Sequence, residues 1–138
     1  MPLTADQDIA ALLRDSRVIA LVGASDRPDR ASYGVMRFLL QKGYQVIPVN
    51  PQLAGDTIHG QPVRATLDEI GEPIDIVDIF RNSAAAGAVI DDAIRIGARA
   101  VWTQLGVFND EGVRRAEAAG LKAVVDRCPA IEMPRLGL

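Results

Sequence analysis

Apolar positions in this chain fall into two rhythms that take turns. Val18-Ile19-Ala20-Leu21-Val22 is an unbroken apolar run, the pattern of a strand buried on both faces of a parallel sheet. Val46-Ile47-Pro48-Val49, the stretch from Ile74 to Phe80, Ala100-Val101-Trp102 and Ala123-Val124-Val125 predict four more strands. Pro48 cannot donate to a ladder, so its strand is expected at the outside of the sheet or at a bulge. Between these runs the spacing becomes helical. Ala5, Ile9, Leu12 and Leu13 oppose Asp6, Gln7 and Arg14, which predicts a helix over residues 5–14 capped by Thr4. Val35, Met36, Leu39 and Leu40 predict a second helix, capped by Ser32, running to about Lys42 before Gly43. Thr66-Leu67-Asp68-Glu69 has the spacing of a capping box, so a short helix should begin there and close at Gly71 and Pro73. Val89, Ile90, Ala93 and Ile94 mark a helix capped by Ser83 and ended by Gly97. Asn109 caps the last regular helix, with Asp110 and Glu111 in its first turn and Gly120 at its end. Asn50-Pro51 opens a polar segment that runs to Pro62, and Cys128-Pro129 opens a short tail.

A helix, a glycine and then a strand recur at Gly43, Gly97 and Gly120. Strands and helices alternating in this way predict an α/β fold, with right-handed crossovers and helices on both faces of a five-stranded parallel sheet. The expected architecture is Rossmann-like with strand order 3-2-1-4-5, and the flavodoxin-like order 2-1-3-4-5 is the alternative. With no linker or low-complexity segment, residues 1–138 read as a single domain.

The first strand bears on function because of the loop it leads into. Gly23-Ala24-Ser25 turns the chain, and Asp26-Arg27-Pro28-Asp29-Arg30 carries two guanidinium groups to the helix beginning at Ser32. Backbone N–H groups, a positive helix end and arginine converge there, which is a phosphate site. In an open parallel sheet, ligands lie outside the carboxyl ends of the strands. Asn50 and Pro51 come after the second strand, Phe80 and Arg81 after the third, Gln104 after the fourth and Cys128 after the fifth. A dinucleotide fingerprint would need G-x-G-x-x-G and an acidic residue ending the second strand. Here Gly23 is succeeded by Ala24 and Ser25, and Asn50 ends the second strand. NAD is therefore disfavoured, and an NAD(P)-dependent oxidoreductase is retained only as the alternative.

Composition narrows the partners. The net charge of −3 provides no global field for nucleic acid or an anionic membrane, so any grip on an anion must be local. A single cysteine, the absence of a signal-like N-terminus and the absence of a long apolar run lead to the expectation of a cytoplasmic protein.

Val22-Gly23-Ala24-Ser25, Pro28 to Val35, Pro48-Val49-Asn50-Pro51, Asp78-Ile79-Phe80-Arg81, Val101 to Gly106 and Asp126-Arg127-Cys128-Pro129 closely resemble the stand-alone CoA-binding-domain proteins. These are similar to the nucleotide-binding domain of the succinyl-CoA synthetase α subunit. The resemblance runs from about Arg17 to Met133. It implies a Rossmann-like fold and coenzyme A as ligand. Gly23, Ala24, Ser25, Arg30, Ser32 and Tyr33 would face the ADP phosphates, Asn50, Pro51, Phe80 and Arg81 the adenosine, and Gln104 the floor of the cleft. An acyl-transfer or ligase enzyme is the partner this likeness suggests.

The reactive inventory favours a binding, carrier or sensor protein over an enzyme. The related ligases phosphorylate a histidine on a separate domain, which this sequence lacks. The sole histidine, His59, reads as a solvated loop residue, and no metal-ligand spacing is present. Asp75 is expected to open a strand. Cys128 is the one candidate thiol: beside Arg127, which would favour thiolate, it is a hypothetical mixed-disulfide partner for the CoA thiol. The competing reading makes it a small buried residue under the C-terminal tail.

Overall fold

The computed structural model describes all residues, Met1–Leu138. Five parallel strands form the sheet: β1 (Val18–Val22), β2 (Gln45–Val49), β5 (Ile76–Ile79), β6 (Ala100–Thr103) and β7 (Lys122–Val124), in the order β2-β1-β5-β6-β7. The remaining two, β3 (Thr57–Ile58) and β4 (Gln61–Pro62), form a small antiparallel hairpin. Alternation along each strand divides the core in two. Ile19, Leu21, Ile76 and Trp102 face α1 (Asp6–Asp15), α2 (Ala31–Gln41) and α5 (Pro129–Arg135). Ala20, Val22, Val77, Ile79 and Val101 face α3 (Ser83–Arg95) and α4 (Asp110–Ala118).

The parallel α/β sheet is as expected, but its order is the alternative one. Counted among the five main strands it is 2-1-3-4-5, and the expected 3-2-1-4-5 is incorrect. The reason lies in the segment after β2. It turns through the β3–β4 hairpin and sets only Arg64 beside β2, as one parallel bridge to Val49. That single bridge occupies the position a Rossmann third strand would fill. The chain then crosses back, and β5 pairs on the far side of β1.

Pro48 is on an outer strand, as predicted, and the β1–β2 ladder runs past it without a bulge. Its carbonyl accepts from Arg64 N–H on the outer side. A residue's N–H and C=O leave a strand in the same direction, so the donor that proline lacks is also on that side.

Several local expectations change. The first helix is capped at Ala5 rather than Thr4, and the second at Arg30 rather than Ser32, neither through a side chain. Asn82, not Ser83, caps α3 and accepts from Ala85 N–H; Asn109 caps α4 as expected. The Thr66 capping box does not form. Glu69 takes Ala65 N–H instead, and only one 3-10 turn, Leu67–Glu69, results. The polar segment hides a hairpin whose turn, His59-Gly60, has φ of 48° and 79°, the primed-turn conformation that matches strand twist. His59 is not simply solvated: its ring packs on Tyr33 at 4.1 Å, and its Nε2 lies 2.9 Å from the Tyr33 carbonyl oxygen. Finally, the tail is helical. Pro129 occupies the first position of α5, where its missing N–H costs nothing.

Asp75 stands immediately before β5, and its Oδ2 accepts from the N–H groups of Arg17 and Val18 at 2.8 and 2.9 Å. This carboxylate pins the start of β5 to the start of β1. Asp75→Ala should lower unfolding free energy by about 1–2 kcal/mol, since two hydrogen bonds to a charged acceptor are lost at a partly exposed position. Urea denaturation would measure the change.

Candidate functional site

At the carboxyl edge of the sheet, β1 ends against β5. Gly23 has φ of +89°, and a Cβ on it would collide with the Phe80 carbonyl oxygen and lie 3.2 Å from Arg81 Cδ. Only glycine brings the turn so close to the strand beside it. From there the chain climbs through Ala24, which is buried, and Ser25, whose Oγ accepts from Arg27 N–H. Asn50, at the end of β2, fixes this turn from the other side. Its Nδ2 donates to the Ala24 carbonyl at 2.8 Å, and its Oδ1 accepts from Gln52 N–H at 2.9 Å.

Helix α2 begins at this turn. Its first turn contains no acidic residue, whereas α1 and α4 each carry two. The N–H groups of Ala31 and Ser32 have no acceptor in the protein. The positive helix end is therefore not neutralised by its own sequence. Arg27 is partly engaged with Asp29 at 3.7 Å, while Arg30 forms no ion pair. A cavity of about 360 Å³ opens here, bounded by Gly23, Ser25, Arg27, Arg30, Ser32 and Asn50, with Phe80 as its wall.

Two further cavities share that wall. One of about 420 Å³ continues over β2, where Asn50, Pro51, Gln52 and Arg81 line it. The other, about 280 Å³, lies on the α2 side, between Ala31, Val35, Phe80, Leu105, Val107 and Cys128, with Arg81 and Gln104 also lining it. Phe80 borders all three. The structure thus gathers Gly23, Ala24, Ser25, Arg30, Ser32, Asn50, Pro51, Phe80, Arg81, Gln104 and Cys128 around adjoining spaces. Tyr33 is the exception, because it turns to the hairpin and packs on His59. Leu105 and Val107 were missed. Their signal was an apolar pair flanking Gly106 in a loop where polar residues are the rule.

Polar groups without partners are buried beneath the third cavity. Asp78 in β5 is 0% exposed and neither carboxyl oxygen has a hydrogen-bond partner; burial holds its pKa well above the carboxylate range. Gln104 is 6% exposed, and its Nε2 is likewise unpartnered. Cys128 is buried at the start of α5. Burial pushes its thiol up, against the pull of the Ala130 and Ile131 N–H groups. The expectation that Arg127 favours thiolate is corrected: its guanidinium is held 2.7 Å from Glu132, which Arg135 also grips and ties to Asp6. At Glu132 burial works in the opposite direction, but the hydrogen bonds from Arg135 and Arg127 prevail and lower its pKa.

Comparison with known proteins places these features in a wider group. A family model described as "CoA binding domain" matches residues 17–134. YneT, an uncharacterized protein of Bacillus subtilis (strain 168), is 37% identical over 121 residues, covering 88% of each chain. A hypothetical protein from Pyrococcus horikoshii OT3 superposes with a TM-score of 0.93 at 36% identity, over 100% of this chain and 97% of that one. The acetyl-coenzyme A synthetase 1 of Ca. Korarchaeum cryptofilum, in complex with phosphate and ADP, gives 0.65 at 26% identity. That match spans 77% of this chain and 25% of the synthetase.

Gly23→Ala should cost about 2 kcal/mol or more, because positive φ and a collision with backbone both oppose the added carbon. Thermal unfolding would read the loss. For Asp78, protons stay bound in the folded state at pH values where the unfolded chain has released them. Stability should therefore fall as pH rises above about 4, the unfolded carboxyl value, towards the raised folded value. Asp78→Asn should flatten that decline without lowering stability at neutral pH, as chemical denaturation across pH would reveal.

Proposed function

The chain belongs to the CoA-binding domain family, and we propose that it binds coenzyme A or an acyl-CoA through the phosphates at the turn after β1. In this reading the protein is a binding, carrier or sensor module without chemistry of its own. The observation that carries it is the cradle at the start of α2: free N–H groups of Ala31 and Ser32, no acidic residue in the first turn, and an unpaired Arg30 beside the Gly23 turn. A pyrophosphate supplies the negative charge that such a place lacks. Adenosine fits the neighbouring space over Asn50 and Pro51, where Arg81 is available to a further phosphate and Phe80 offers a ring face.

The residue ending β2 supports coenzyme A over NAD. A dinucleotide site holds the ribose hydroxyls there with a carboxylate, whereas Asn50 has both ends of its amide engaged by Ala24 and Gln52. The family resemblance suggests an acyl-transfer or ligase enzyme as a partner that would exchange the coenzyme. Cys128 rests as a protonated thiol in the cavity wall.

Thermal shift tests the reading. A ligand that binds only the folded state at about one hundred times its Kd adds roughly 2.7 kcal/mol. Coenzyme A should raise the melting temperature and NAD(H) should not. Arg30→Ala should weaken coenzyme A roughly tenfold or more, and the wild-type affinity should fall with added salt. A shift with NAD(H) and none with coenzyme A would overturn the assignment.

A further inference from the structure

The cavity on the α2 side of Phe80 differs from its neighbours in chemistry. The phosphate cradle and the space over β2 are bounded by polar backbone and arginine. This one is walled by Val35, Phe80, Leu105, Val107 and Cys128. It adjoins the cradle, and Ala31 and Phe80 border both. At about 280 Å³ it is smaller than the range of roughly 300–1,000 Å³ typical of complete ligand pockets, so it suits one end of a molecule held elsewhere.

Its polar features are specific. Gln104 lines it, buried to all but 6% of its surface; its amide nitrogen has no acceptor anywhere in the protein and is enclosed, so a turn of the amide is what presents it to the cavity. A buried donor of this kind is costly unless an acceptor arrives with a ligand. Asp78 lies under the same face of the sheet, fully buried and without a cationic partner, so an anionic group entering deeply would meet a carboxyl and no compensating charge. The nearest cation on the wall, Arg81, is exposed and borders the space over β2 as well.

We propose that this cavity receives the acyl thioester end of the coenzyme, with the Gln104 amide turning to donate to the thioester carbonyl and a short uncharged acyl chain lying against Val35, Val107 and Cys128. The protein thereby discriminates short-chain acyl-CoA from free coenzyme A. This inference rests on the coenzyme A reading. A free thiol offers Gln104 only a poor acceptor and leaves the apolar wall uncovered.

Isothermal titration of the full chain with coenzyme A and with acetyl-, propionyl-, butyryl- and succinyl-CoA tests it. Each added methylene from acetyl to butyryl should tighten binding about three- to fourfold, from roughly 0.8 kcal/mol per buried methylene. Gln104→Leu, checked for an unchanged melting temperature, should abolish the advantage of acetyl-CoA over free coenzyme A, the ratio of the two affinities measured on the same variant falling to about one. Val107→Phe, which fills the cavity from a loop position, should remove the gain from chain length. Free coenzyme A binding as tightly as butyryl-CoA would overturn this inference and leave the coenzyme A reading standing. Tighter binding of succinyl-CoA than of butyryl-CoA would overturn it in favour of an anionic group held by Arg81. Failure of every arm, free coenzyme A included, would refute the underlying reading instead.

Discussion

The approach of Gly23 to the Phe80 carbonyl is the constraint on which the rest depends. It lets two neighbouring parallel strands end together, with the first turning sharply over the second. Once this is fixed, the neighbouring groups fall into place. Asn50 can reach the Ala24 carbonyl, α2 starts with its N–H groups facing outward, and Arg81 lies across the glycine. Phe80 is left standing where three spaces meet, as a wall common to a charged cradle, a polar shelf and an apolar recess. One backbone contact therefore arranges groups contributed by β1, β2, β5 and α2.

The interior under this edge is not fully apolar. Asp78 and Gln104 place polar atoms without partners on the sheet face that α1, α2 and α5 cover, close to Cys128. Burial is the main cause of the direction in which Asp78 and Cys128 titrate. The C-terminal helix closes this region and is itself fastened by a chain of charges running from Arg127 through Glu132 and Arg135 to Asp6.

Much of this was legible in the sequence. An apolar run ending in glycine, then arginine and a helix start, marks the turn after β1 and the start of α2 beside it because each signal is local. Strand order was not legible, because it depends on whether Arg64 begins a strand or contributes a single bridge, and no periodicity marks one residue. The helix after Cys128 was concealed by its two prolines, Pro129 and Pro134, which read as breakers although the first is a favourable opening residue. Tyr33 and Cys128 show a different limit. Their chain positions put them at the site, but the partner each side chain takes, His59 for one and a buried wall for the other, is set by tertiary packing. The apolar recess was harder still, since it draws on α2, the ends of β5 and β6, and the start of α5.

Pro48 has a consequence beyond its own ladder. On the outer side of β2 the alternation of the strand leaves the backbone groups of Val46, Pro48 and Asn50 facing away from β1. Asn50 N–H is already taken by the Arg64 carbonyl, and Pro48 has none to give. A strand from another molecule would find a donor only at Val46. The β2 edge of the sheet is thereby blunted against sideways growth into a neighbouring copy, the route by which exposed strand edges aggregate.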